Sequence, residues 1–141
     1  MNVIRCLIRA VIVCGAVLSF GAQAAAPCGS TLPGDKRVLE NARYQIAYRT
    51  QPQTVPTGTH FVVDFAVCAR GKAVMPSAVR VDANMPDHRH GMNYKPVVTK
   101  VSPGVYRAEG LLFHMPGRWD LTFDIVTGNT TQRLASTLRV E

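Results

Sequence analysis

Residues 118–125 read Arg-Trp-Asp-Leu-Thr-Phe-Asp-Ile, and apolar side chains alternate strictly with polar ones along this stretch. A period of two is typical of a β-strand with one face buried and the other in water. No other part of the chain alternates as clearly. Trp119, Leu121, Phe123 and Ile125 are therefore predicted to face a core, and this stretch decides the expected fold class.

Weaker forms of the same pattern occur on both sides of this stretch. They cover residues 43–49, 60–67, 79–84, 97–101, 106–112 and 134–140. Short segments rich in proline, glycine and asparagine separate them, such as 51–58, 102–104 and 127–129. Regularly spaced short strands without a helical period predict an all-β, immunoglobulin-like antiparallel sandwich of about seven strands, with Trp119 and most phenylalanines in its core.

The first 24 residues have the pattern of a secretory signal peptide. Arg5 and Arg9 make a basic start, residues 10–20 are apolar, and residues 22–24 read Ala-Gln-Ala, a small-residue cleavage site. The apolar run is short for a membrane span, which needs about 20 residues. We expect cleavage after Ala24 and export to the periplasm, with the membrane involved only if this segment is retained.

Residues 25–42 are predicted to form an irregular N-terminal arm, and the sandwich domain is expected to span residues 43–141. Small and turn-forming residues dominate the arm, although residues 38–43 could form a helical turn. After cleavage only Cys28 and Cys68 remain, and an exported pair of cysteines favours a disulfide over its alternative, a thiolate metal pair.

The chain carries a formal net charge of +7, but its basic residues are scattered among acidic ones. Proteins that bind nucleic acid usually gather lysine and arginine on one face. The absence of such a cluster, together with export, argues against a nucleic-acid partner.

Two segments concentrate histidine and methionine. The first His/Met loop, residues 85–96, contains Met85, His88, His90 and Met92, and the second, residues 113–117, contains His114 and Met115. Imidazole and thioether groups are the donors that suit copper, and thioethers favour Cu(I) in particular. The expected ligands are His88, His90, Met92, His114 and Met115, with Met85 as an additional candidate. We expect three or four of them to bind copper as Cu(I) or Cu(II).

The strand order predicts that the two loops are neighbours. If successive strands reverse direction, the connections 51–59, 85–96 and 113–117 all lie at one end of the sandwich, with His60 close by. The two cysteines are then expected at the opposite end. Within the first loop, Gly91 is expected to let the backbone turn between His90 and Met92.

Several of these side chains also have an ordinary structural interpretation. Met85 continues the inward phase of the preceding strand, and Met115 could simply close the end of the core. His88 and His90 could belong to a solvated polar loop or a pH-sensitive contact. His60 is more typical of an ordinary strand end.

Catalytic patterns are weak, so we expect a protein that is not an enzyme. No serine or free cysteine lies in a recognisable nucleophile motif, and neither a phosphate-binding glycine loop nor a pair of carboxylates is evident. A small copper oxidoreductase is the remaining enzymatic alternative.

The chain resembles the YtkA-like and FixH-like group of small exported β-sandwich domains. The resemblance covers about residues 40–140 and rests on the stretch 82–94, the Pro-Gly-Val-Tyr hairpin ending at Tyr106, and the Phe-His-Met-Pro-Gly-Arg-Trp motif of residues 113–119. It implies an immunoglobulin-like fold and a role in copper handling or in the assembly of membrane respiratory oxidases. FixH-type proteins typically keep an N-terminal membrane anchor, whereas cleavage is expected here.

These observations together predict a periplasmic copper-binding protein, acting as a chaperone, a resistance factor or an oxidase-assembly factor. Its partners would be the copper ion and a membrane copper protein or oxidase subunit. The alternative is a metal-free interaction module that assists the assembly of a membrane complex.

Overall fold

The computed structural model describes residues 25–141, in which two antiparallel β-sheets pack face to face. The predicted signal peptide, residues 1–24, lies outside the described residues. The nine strands are β1 Arg37–Glu40, β2 Tyr44–Gln51, β3 His60–Ala69, β4 Ala78–Met85, β5 His90–Gly91, β6 Val97–Ser102, β7 Val105–Leu112, β8 Gly117–Thr127 and β9 Thr130–Val140. Between residues 25 and 141 there is no helix long and apolar enough to cross a membrane.

The strand β8 holds the second sheet together. One sheet has the order β1-β2-β3-β7-β6, and the other has the order β5-β4-β8-β9. In the second sheet β8 pairs with β4 on one side and with β9 on the other. Trp119, Leu121, Phe123 and Ile125 on β8 are fully buried. The alternation in the sequence therefore marks a central strand, and the predicted all-β sandwich with Trp119 in its core is confirmed.

The structure adds two strands to the predicted set. Strand β1 lies within the predicted arm, where Leu39 pairs with Ile46 of β2, so the helical turn expected over residues 38–43 is wrong. Backbone pairing with the edge of β2 explains this difference, because it satisfies the polar groups of a segment whose own pattern is weak. The other added strand, β5, lies in the first His/Met loop.

The disulfide and the His/Met loops occupy opposite ends of the sandwich. Cys28 and Cys68 form the predicted disulfide. Cys68 is near the end of β3 where Tyr44 pairs with Ala69, whereas the His/Met loops lie beyond the other end of the β2–β3 pair. The bond closes a covalent loop with a sequence separation of 40 residues, far from the candidate ligands.

A buried carboxylate ties three neighbouring strands together on the outer face of the larger sheet. Asp64 on β3 accepts hydrogen bonds from Arg107 on β7 and from Arg49 and Gln51 on β2. Burial works against ionisation of this carboxyl group, but the hydrogen bonds from Arg107 and Gln51 and the two arginine charges keep its pKa below the ordinary value.

We predict that Asp64→Asn lowers the free energy of unfolding by about 1–3 kcal/mol near pH 7, because half-buried donors on two neighbouring strands lose their charged acceptor. Since folding depresses this pKa, the stabilisation is present above the unfolded-state pKa of about 4 and is lost as pH falls through the folded-state value. Denaturant unfolding of both proteins from pH 7 to pH 3 should therefore show the difference shrinking in acid. A constant difference over this range would contradict the assignment.

Candidate metal centre

The first His/Met loop is a tight reversal after β4. The chain turns over residues 86–89 and returns as β5, so that Asn84 pairs with Gly91 and Met85 with His90. The left-handed residue in the turn is Arg89, with φ of 56°. The expectation that Gly91 makes the turn is wrong: Gly91 lies in β5, and a Cβ there would come within 3.3 Å of the Ala83 carbonyl oxygen.

This reversal places three candidate ligands on one face. Directly opposed residues of an antiparallel pair project their side chains to the same side, so His90 lies beside Met85. The backbone N–H of Met92 donates to the carbonyl of Ala83, so Met92 continues the pairing with β4. Met92 is two residues after His90, and its side chain therefore projects to the same side. Met85 and Met92 are both buried within the hydrophobic core.

Trp119 fixes the second His/Met loop. The Phe113 ring stacks on the indole, with centroids 4.6 Å apart and planes 11° apart. The indole N–H donates to the Met115 carbonyl at 3.0 Å. His114 lies between these two anchored residues, so the backbone on both sides of its side chain is held.

The two loops meet at His90 and His114, whose ring centroids are 5.0 Å apart. Both rings also contact Trp119, with centroid distances of 5.9 Å for His90 and 5.3 Å for His114. The ring of His88 lies 5.8 Å from that of His90. The prediction that both His/Met loops converge at one end of the sandwich is confirmed.

One imidazole nitrogen at this meeting point is buried without a partner. Nδ1 of His114 is screened from solvent and makes no hydrogen bond to any described residue. A buried polar atom left unsatisfied costs about 1–3 kcal/mol, so native proteins rarely keep one without a reason. In contrast, Nδ1 of His90 lies 3.2 Å from the Gly91 carbonyl oxygen, which leaves its Nε2 available.

Exposure of the candidate donors falls from the rim inward. His88 is exposed, His90, His114 and Met115 are half-buried, and Met85 and Met92 are buried. Residues 25–141 contain no group of three or more histidine, cysteine, aspartate or glutamate side chains arranged to hold a metal. The other candidate donors at this meeting point are thioethers, and a mixed set of imidazole and thioether fits copper.

An ion pair that the sequence did not reveal links the two loops. Arg118, which follows the second loop, donates two hydrogen bonds to Asp87 in the first, at 2.8 and 3.2 Å. The hydrogen bond and charge of Arg118 lower the pKa of Asp87. The only sequence signal for this ion pair was the presence of opposite charges in or next to the two loops. Opposite charges are too common in a sequence to identify one pair among them.

His60 shares this end of the sandwich but faces another neighbour. Its ring lies edge-on to that of Tyr94, with centroids 5.2 Å apart, and its backbone pairs with Leu112. The structure thus groups His60 with an aromatic side chain, as expected for an ordinary strand-end histidine.

A model of the YtkA-like family matches residues 38–124, which include both His/Met loops. The chain belongs to the YtkA-like family. This result confirms the resemblance seen in the sequence, and the matched range ends within β8.

The fold of this YtkA-like protein is similar to that of a DUF4426 family protein from Pseudomonas aeruginosa PAO1, known from a crystal structure. The TM-score is 0.51, with 14% sequence identity over 74% of this chain and 93% of that one. At this identity the likeness shows the fold alone. No curated protein matches the chain.

Gly117 allows Met85 to pack under the second loop. A Cβ at Gly117 would lie 2.7 Å from the terminal methyl group of Met85, and the glycine has φ of 127°. We predict that Gly117→Ala lowers the free energy of unfolding by about 1–3 kcal/mol through backbone strain and displacement of Met85.

Gly128→Ala is the matched control for this prediction in the same denaturant titration. Gly128 also has positive φ, at 55°, but a Cβ there would meet nothing within 4 Å. It should cost less than Gly117→Ala, and equal losses would show that the contact with Met85 is unimportant.

Proposed function

We propose that this protein is a periplasmic copper-binding protein, serving as a copper chaperone or as a copper-resistance or oxidase-assembly factor. His90 and His114 would hold the ion together with thioether sulfur from Met92 and, as the neighbour of His90 across the ladder, Met85. His88 and Met115 would add further ligands or cover the solvent-facing side of the ion. The protein is proposed to bind and pass on the ion, without enzymatic activity.

The partnerless Nδ1 of His114 carries this proposal. It is buried beside His90, between rigidly held residues, and above a core that contains two methionines. A metal ion would supply the partner that none of residues 25–141 provides. Imidazole and thioether together select a soft ion over calcium or magnesium, which prefer oxygen ligands.

The surroundings suit retention of the ion followed by transfer. Trp119, Phe113 and the core methionines form an apolar base that excludes water, which favours neutral donors. On the outer side, the exposed His88 lies next to His90 and offers an accessible first or last contact for the ion. Export, expected from residues 1–24, would place this exchange in the periplasm.

A metal-free interaction module remains the second candidate. It is favoured by exposed apolar side chains beside the His/Met loops, where Tyr94 and Val97 face solvent. In that case the same end of the sandwich would contact a membrane-complex subunit.

Copper titration of residues 25–141 separates these two functions. We expect one copper ion per chain, competing with a chelator of known affinity, and a change in the fluorescence of Trp119, which is the only tryptophan. His90→Ala combined with His114→Ala should weaken copper binding by at least about 100-fold. This is more than is usually lost when a residue that only hydrogen-bonds to a ligand is removed.

His60→Ala is the matched control, because it removes a histidine from the same end without touching the proposed ligands. It should leave copper affinity unchanged. If wild-type protein binds no copper stoichiometrically, or if His60→Ala matters as much as the double variant, the copper proposal is wrong and the interaction module is favoured.

We predict that His114→Leu separates metal binding from stability. It removes the unsatisfied nitrogen, so the free energy of unfolding of the metal-free protein should stay the same or rise by up to about 1 kcal/mol. Copper affinity should fall sharply in the same variant. A clear loss of stability in thermal and denaturant unfolding would instead assign His114 a structural role.

A further inference from the structure

Most of β4 is an open edge in the smaller sheet. On one side of β4, strand β5 pairs only with Asn84 and Met85. On the other side, β8 pairs with β4 from Ala78 to Asn84. Among the described residues, therefore, no strand pairs with β4 from Ala78 to Asp82 on the β5 side.

The backbone groups at this edge can be assigned from the hydrogen bonds. Met92 donates to the Ala83 carbonyl, so the backbone of Ala83 faces the β5 side. Because successive residues of a strand face alternate sides in the plane of the sheet, Val79 and Val81 present their N–H and C=O groups to the same side. Their side chains are buried in the core, which leaves the backbone as the accessible part.

The structure caps one end of this edge itself. The N–H of Ala83 donates to the carboxylate of Asp82 at 2.9 Å, which removes one donor from the edge. At Val79 and Val81, the described side chains provide no such cap. Unpaired backbone groups at a sheet edge are a template for an added strand, which natural proteins otherwise block.

A groove runs beside this edge, between β4 and residues 95–98. Its volume is about 480 Å³. Two ion pairs border it: Lys95 with Asp82, and Arg133 with Asp124, each at 2.7 Å. Arg80 also lines the groove, is exposed, and has no ion pair within 4 Å among residues 25–141. With three basic and two acidic side chains in its lining, the groove has a net charge of +1.

We propose that β4 accepts an extended, acidic segment of a partner protein as an additional strand. The backbone of that segment would pair with Val79 and Val81, and one of its carboxylates would meet Arg80. Main-chain hydrogen bonds give affinity in this mode of recognition, and side chains at alternate positions give specificity.

The added strand would follow the position that β5 occupies. Its end would border Gly91 and Met92, so the partner would lie beside the His/Met loops. Only this relation to copper rests on the function proposed above, because docking itself uses none of the candidate ligands.

Amide hydrogen exchange of the metal-free protein, followed by NMR, tests the open edge first. The Val79 and Val81 amides should exchange faster than those of Arg80 and Asp82, which face β8. Addition of a blocked peptide of alternating valine and glutamate should then slow exchange at Val79 and Val81 by at least about tenfold. Slow exchange at these two amides in the free protein would overturn the proposal.

Two peptides and two variants test the chemistry. A peptide N-methylated along its pairing edge should not bind, and one with lysine in place of glutamate should bind more weakly. Arg80→Glu should weaken the glutamate peptide by about tenfold, whereas Lys72→Glu, an exposed charge change outside the groove, should have no effect.

Other outcomes would reject the partner. Three results would overturn the proposal. They are unchanged exchange of the Val79 and Val81 amides at millimolar glutamate peptide, equal binding of the lysine and glutamate peptides, and equal effects of Arg80→Glu and Lys72→Glu on binding. Protection that rises with protein concentration alone would replace the partner with a second copy of this chain. Since every measurement uses metal-free protein, failure here leaves the copper proposal untouched.

Discussion

The packing of Trp119 is the constraint on which the candidate site depends. Its ring is fully buried, stacks on Phe113 and lies against both His90 and His114. Its N–H is also satisfied by the Met115 carbonyl, as a buried indole requires. One side chain therefore belongs to the core and also forms the support of the two loops, so the geometry of the loops follows from core packing.

This arrangement gives the site an unusual composition for a surface loop. The candidate donor nearest solvent is the imidazole of His88, and the deepest are the thioethers of Met85 and Met92, which also fill the core. Methionine suits both purposes because it is flexible and polarizable. The ion pair between Asp87 and Arg118 adds a link on the outside. An exposed pair of this kind contributes little to stability.

The disulfide, the Asp64 cluster and the open edge of β4 lie in different parts of the sandwich. The disulfide closes the end away from the His/Met loops, the Asp64 cluster ties β2, β3 and β7 together, and β4 leaves its backbone open next to β5. Copper binding at the loops and strand addition at β4 would therefore use adjoining but different surfaces. That separation would allow a partner to approach the proposed metal site without displacing its candidate ligands.

The fold class, the buried face of β8 and the meeting of the His/Met loops followed from the sequence alone. Alternation decides which side chains are buried, and reversal of successive strands decides which connections share an end. Other features became visible only in the folded protein: the pairing of β1 with β2 and of β5 with β4, the left-handed Arg89, the link from Arg118 to Asp87 and the burial of His114 Nδ1. These features depend on residues distant in the chain, or on backbone pairing that almost any side chain permits, so no local pattern encodes them.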